Sequence, residues 1–341
     1  MGSVIETGSS LAPPENLYAF EPVAARVAFL DQRMRLRLAE SLGYIWLQAN
    51  GQLDLSPDRF EQFLIRLEHH PVPPLAFSLY CETVFAIEED DLAQAAGLLG
   101  ELTGLPPASG LTIINLADPR HDASARRYAS FVDAGSGMDF EVFPPAPKAA
   151  ASCREQIRGA FDLMDAGDPE LAAEIRALLR EVVLAAGIED PDPKAMTFDG
   201  ASASMLWGAI ILNANRRDGT LGMVQMLAHE SAHNLIFGLC AEEPLVENPP
   251  EELYPSPLRV DPRPMIGIYH ATFVTARMHR VVRRLAESGV LPASLQEKAG
   301  KELADNRRLF EQGIRVVREH GRLTALGEAI IRGAEAYMAS A

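Results

Sequence analysis

His229 and His233 stand four residues apart in Ala228-His229-Glu230-Ser231-Ala232-His233-Asn234-Leu235, an H-E-x-x-H run flanked by uncharged residues. On a helix, positions i and i+4 share a face, so the two rings can reach one metal ion. Glu230 lies between them, is expected to face the same open side, and can handle a proton of a metal-bound ligand. From Leu221 to Gly238 the only charged residue is Glu230, and the segment is otherwise apolar nearly all round. Such a helix is buried. Two histidines and a carboxylate inside it must be satisfied, and a metal ion does so directly. The bland alternative is a core helix whose histidines only bond to their neighbours. Gly238 is expected to end the helix at its C′ position.

A third ligand decides which chemistry follows. Glu242, Glu243, Glu247, Glu251 and Glu252 are near, but prolines at 244, 249, 250, 255, 257, 262 and 264 keep that stretch from forming a regular helix. A loop glutamate could ligate, yet nothing selects one of the five. The next helix, expected over Pro264–Glu287, offers His270 on a face shared with Ile266, Phe273, Val274 and Arg277. Beside a helix that already carries two candidate ligands, His270 is the preferred third. His279 falls on a charged face and is expected to be solvated. His69, His70, His121 and His320 lie in polar surroundings and are not assigned to the site. Just upstream of His270, Ser256-Pro257-Leu258-Arg259-Val260-Asp261-Pro262-Arg263-Pro264 sets Arg259 and Arg263 in a proline-braced turn. Arginine grips a carboxylate bidentately. The competing reading is a surface salt bridge, for example with Asp261.

The segments HESAHNLIFG and YPSPLRVDPRPMIGIYHATFVTARM resemble the H-E-x-x-H motif-containing peptide-modification proteins of bacterial clusters that make ribosomal peptides. The resemblance is specific over residues 221–285 and general elsewhere. It implies a non-haem iron, 2-oxoglutarate-dependent oxygenase that hydroxylates a side-chain carbon of a peptide or amino acid. By resemblance, His229, His233 and His270 take the metal, with Glu230 an acid/base or orienting residue beside it. Three protein ligands on one face of Fe(II) leave positions for 2-oxoglutarate and O2, and Arg259 or Arg263 would hold the distal carboxylate. A three-histidine set also suits Zn(II), so the alternative is a zinc metallopeptidase with Glu230 as general base. A third possibility is a metal-free helical scaffold that binds a leader peptide or partner enzyme. The expected partner is a peptide substrate, with or without a leader segment.

The elements that would position these residues read as mainly α with a small β-sheet. Ala25–Gln48 carries Val27, Leu30, Met34, Leu38, Leu42 and Ile45 at helical spacing. Ser56-Pro57 opens a second helix to about His69, and segments 75–88 and 90–102 complete a helical N-terminal lobe over 1–105. Residues 1–15 are expected to be loose. The remainder, 106–341, holds the metal-site lobe, or joins the first as one compact domain. Leu111–Leu116 and Phe140–Phe143 read as short strands separated by polar loops, followed by helices over 152–165 and 169–187. Ala195–Phe198 and Ser204–Asn213 read as strands, and helices are expected over 219–238, 263–289, 293–319 and 322–339. Strand, loop and H-E-x-x-H helix is the zincin-like order, in which a strand edge can hold an extended peptide.

Composition bounds the partners. With 31 basic against 47 acidic side chains the formal charge is −16, which argues against a nucleic-acid partner. The longest apolar run, Met205–Leu212, is far short of the roughly 20 residues that span a bilayer. The first 20 residues carry no basic or apolar signal region. Cys81, Cys153 and Cys240 are odd in number and widely spaced, which argues against a disulfide framework and fits a reducing, cytoplasmic compartment.

Overall fold

The computed structural model describes residues 11–49, 51–53, 55–133, 142–187, 198–216, 218–256 and 261–341. The fold is mainly α with a small sheet, as the periodicity indicates. Helices α1 (Ala24–Ala49), α2 (Pro57–His69), α3 (Leu75–Glu88) and α4 (Leu92–Gly104) match the expected N-terminal set within two residues at each end. Ser56 caps α2 by accepting from the Arg59 N–H, with Pro57 at the first position. Thr112–Asn115 forms β1 and is followed by α5 (Asp122–Asp133), where polar loop was expected. Then come α6 (Pro147–Gly167), α7 (Pro169–Leu178), β2 (Glu181–Ala185), β3 (Gly200–Ala201), β4 (Ala209–Asn213) and α8 (Gly219–Leu239). A two-stranded ladder of β5 (Leu253–Tyr254) and β6 (Arg263–Pro264) leads into α9 (Met265–Glu287), α10 (Ala293–His320) and α11 (Ala325–Ser340).

The four-stranded sheet has the order β1-β2-β4-β3, with β1, β2 and β4 parallel and β3 antiparallel at the edge. Its central strand corrects the sequence reading, which continued a helix through 169–187. Val182, Val183 and Leu184 are fully buried because β1 pairs on one side and β4 on the other. A short apolar run buried on both faces has no period-2 signal, so periodicity does not separate it from a buried helix. The second expected strand is also revised. Residues 140 and 141 lie outside the described residues, and Phe143 makes only an isolated bridge to Ala186. Of the expected strand Ala195–Phe198, residues 195–197 lie outside the described set, while the observed edge strand is Gly200–Ala201. The strand expected over Ser204–Asn213 starts later, at Ala209, after a turn of 3-10 helix at Ser204–Leu206 and a left-handed Gly208 (φ 85°).

One hydrophobic cluster runs from Leu17 to Met338 and takes side chains from both sides of position 105. A smaller one lies on the other face of the sheet, between Ile114, Val183 and Ile211 and the α5 residues Tyr128 and Phe131. Gly238 does not cap α8, which continues to Leu239. A Cβ there would lie 2.5 Å from the Trp207 ring, so the glycine lets helix and indole close-pack. Among the described residues no helix is long and apolar enough to cross a membrane.

Candidate metal centre

Helix α8 is buried on every side but one. Its half-buried residues Gly222, Met226, His229, His233, Phe237 and Cys240 follow steps of four and three, which is one row along the helix surface. Asn234 sets the helix against the sheet. Its carbonyl oxygen accepts from Gly208 N–H at 3.0 Å and its amide donates to Ala209 C=O at 3.0 Å, both at the entry to β4. Gln225, also buried, accepts from Asn306 of α10 at 2.9 Å. These contacts direct the row of half-buried residues toward α9.

Helix α9 supplies the third histidine. His233 Nε2 lies 3.2 Å from His229 Nε2, and His233 Nδ1 lies 3.1 Å from His270 Nδ1. The structure thus brings together all three histidines singled out in the sequence. Phe237 closes one end of the cluster, its ring centroid 5.6 Å from His270 and 6.5 Å from His233. At the other end, Met278 Sδ lies 3.3 Å from His229 Nδ1. Glu230 is buried, with Oε1 3.9 Å from His229 Nε2. Its carboxylate packs against edge strand β3, where a Cβ on Gly200 would lie only 2.6 Å from Oε1.

The electrostatics favour neutral rings. Burial, reinforced by His229 and His270, holds His233 well below the ordinary imidazole range. Burial alone pushes His270 down to about 4. Both rings therefore keep lone pairs at neutral pH, as metal ligands must. A metal ion bonded to two imidazoles at about 2.1 Å holds their nitrogens roughly 3 Å apart, and the His229–His233 pair meets that requirement. His270 faces the opposite nitrogen of His233, so the three rings form a row rather than a triangle. Among the described residues no group of three His, Cys, Asp or Glu side chains is arranged so that it could hold a metal ion. The donor chemistry of these imidazoles suits a borderline divalent ion; His229 and His233 have the spacing for one, and the third ring touches His233 but is turned from the gap between them.

The chain matches no protein-family model and no curated protein.

Arg263 opens β6, with Nε 2.7 Å from the Asp261 carboxylate, so the salt bridge weighed from the sequence is present. Arg263 lies just before α9, and a Cβ on Gly267 in the first turn of that helix would lie 3.7 Å from the Arg263 Cβ. Arg263 therefore packs against the first turn of the helix that carries His270. Arg259 lies outside the described residues. His279 corrects the expectation of solvation: it is only 3% exposed and its Nδ1 contacts Tyr337 Oη at 2.9 Å. Arg277, expected beside His270, is turned away from the cluster. It is buried, donates to Phe20 C=O at 2.8 Å and pairs with Glu174. His69, His70 and His320 are exposed. The sequence reading passed over Met278, Phe237, Gly200 and Asn234. Phe237 was recoverable as His233+4 on the same row, whereas Gly200 and Met278 meet the site only through tertiary packing.

Proposed function

We propose that the protein is a non-haem iron, 2-oxoglutarate-dependent oxygenase that hydroxylates a side-chain carbon of a peptide. The observation that carries this reading is the meeting of three half-buried imidazoles from α8 and α9, with His233 within 3.2 Å of both His229 and His270. His229, His233 and His270 would hold the metal. Iron, when bound with 2-oxoglutarate and O2, supplies the oxidation that replaces a C–H bond by C–OH while 2-oxoglutarate is converted to succinate and CO2. Arg263, against the first turn of the His270 helix, would exchange the exposed Asp261 for the distal carboxylate of 2-oxoglutarate. Phe237 gives the site an apolar wall that excludes water from one side. Edge strand β3 lies directly over Glu230, where an extended peptide could add to the sheet.

One observation favours a second reading. Glu230 is next to His229 and beneath an antiparallel edge strand, which suits a general base for hydrolysis of a peptide lying on that edge. Zinc would then supply Lewis acidity and Glu230 would take the proton of the attacking water. The deciding experiment is anaerobic: strip the metal, add Fe(II), then 2-oxoglutarate, and record the visible spectrum. The oxygenase requires a weak charge-transfer band that needs both additions and fades on exposure to O2. No band, together with stoichiometric Zn(II) retained through purification, would transfer the assignment to the peptidase.

A further inference from the structure

The carbonyls that end α8 are met by two arginines of α1. Arg33 Nη2 donates to Gly238 C=O and lies 3.4 Å from Leu239 O, and Arg37 Nη1 donates to Ala241 C=O. The two guanidinium groups stand one turn apart, where like charges repel. They line a groove of about 480 Å³ whose apolar wall is Phe29 and Leu36, and whose lining also includes the carboxylates of Glu40 and Glu242. The positive charge here is fixed and the negative charge is not. The Arg33 side chain is only 12% exposed and is held by the α8 carbonyls and by the Phe29 ring, whose centroid lies 5.3 Å from Cζ. Its Nε is buried and has no hydrogen-bond partner among the described residues. The carboxylate it faces, Glu242, is 59% exposed and 3.7 Å from Nη1, too far for a hydrogen bond. An exposed pair of that length contributes little, so Glu242 can turn into water at small cost while Arg33 stays.

We propose that this groove binds a small organic acid, with one carboxylate set between Arg33 and Arg37 in place of Glu242 and an apolar body laid on Phe29 and Leu36. A guanidinium held below the surface with a distant, exposed counter-ion is better satisfied by a carboxylate that meets its planar donors directly. The volume lies in the range of small-molecule pockets, which pair an apolar wall with a few fixed polar groups. Glu40 and Glu242 limit the ligand to one negative charge, because a dianion would face two carboxylates in the same groove. None of the lining residues belongs to the histidine cluster, so the site stands whether or not that cluster holds a metal ion.

Isothermal titration calorimetry of the full chain with hydrocinnamate tests the site, with its uncharged amide and inorganic phosphate as companion ligands. Hydrocinnamate should bind, and the amide, which has the same apolar body without the charge, should bind about tenfold more weakly or worse. Glu242→Gln removes the competing carboxylate at an exposed position and should tighten hydrocinnamate about threefold. Arg33→Lys keeps the charge without the planar fork and should weaken it about tenfold. Arg37→Gln, also at an exposed position, should weaken it about threefold and serves where Arg33→Lys does not fold. A wild-type chain that does not bind hydrocinnamate overturns the site. Equal binding of the amide overturns the role of the guanidinium groups. Phosphate bound as tightly as hydrocinnamate overturns the assignment to a monocarboxylate. Wild-type affinity in both Glu242→Gln and Arg37→Gln puts the ligand elsewhere on the molecule and overturns the groove.

Discussion

Gly200 lacks a side chain at the point where Glu230 and Met226 fill the space one would occupy. Gly200→Val should push the Glu230 carboxylate out of place and lower turnover at least tenfold, with metal content unchanged. Turnover at the wild-type level would mean that the location of Glu230 is irrelevant to the reaction. Glu230→Gln separates the two chemistries: a general base lost from a hydrolase costs about 100-fold or more in kcat, measured on a peptide substrate. His233→Ala should abolish stoichiometric metal, because His233 touches both other histidines; metal retained at one equivalent would refute its place as a ligand. Arg263→Ala should raise the Kd for 2-oxoglutarate about tenfold or more, read by the iron charge-transfer titration.

Elements hold these residues in place through a few buried polar contacts. Asn234 accepts from Gly208 N–H and donates to Ala209 C=O across the α8–β4 junction. Asn234→Ala orphans both groups and should cost about 2–4 kcal/mol in chemical denaturation. A loss below 1 kcal/mol would show that water replaces the amide. A second anchor joins α1, α7 and α9. Glu174 of α7 accepts from Arg26 at 2.6 Å and from Val23 N–H at 2.7 Å, and pairs with Arg277, two helical turns beyond His270. The two guanidinium groups outweigh the cost of burial and hold the Glu174 carboxyl below its usual range. Helix α9 thus has one end at the histidine cluster and the next turns in an ion network. The H-E-x-x-H helix was legible because its two signals, spacing and uniform apolarity, lie within one segment. The orientation of α9 was only half legible: His270 and Arg277 are seven residues apart, yet Arg277 turns to Glu174 while His270 turns to His233.

At the scale of the whole molecule, His279 links folding to pH. Its ring is packed among α9 and α11 side chains, and burial, with Arg307 and Arg283 nearby, lowers it to about 4. In the unfolded chain the ring titrates near the ordinary value of about 6.5. Between these values the unfolded state binds the proton and the folded state does not. The contribution of His279 is therefore fully present above about pH 6.5, is lost as pH falls, and is exhausted below pH 4. In the metal-free protein His279→Gln should flatten the fall in Tm between pH 6.5 and 4 relative to wild type. Parallel curves would show that the ring is not neutral in the folded state.

The helices of the N-terminal half, the H-E-x-x-H spacing and the choice of His270 to stand beside that pair were legible in the chain alone, because each rests on a periodicity or a spacing of a few residues. Tertiary structure decided three other things. It made Glu181–Ala185 the central strand, since burial on both faces comes from neighbours more than 25 residues away. It buried His279, whose charged sequence neighbours suggested solvent. It also brought Gly200 against Glu230 and Met278 against His229, contacts that no local spacing encodes.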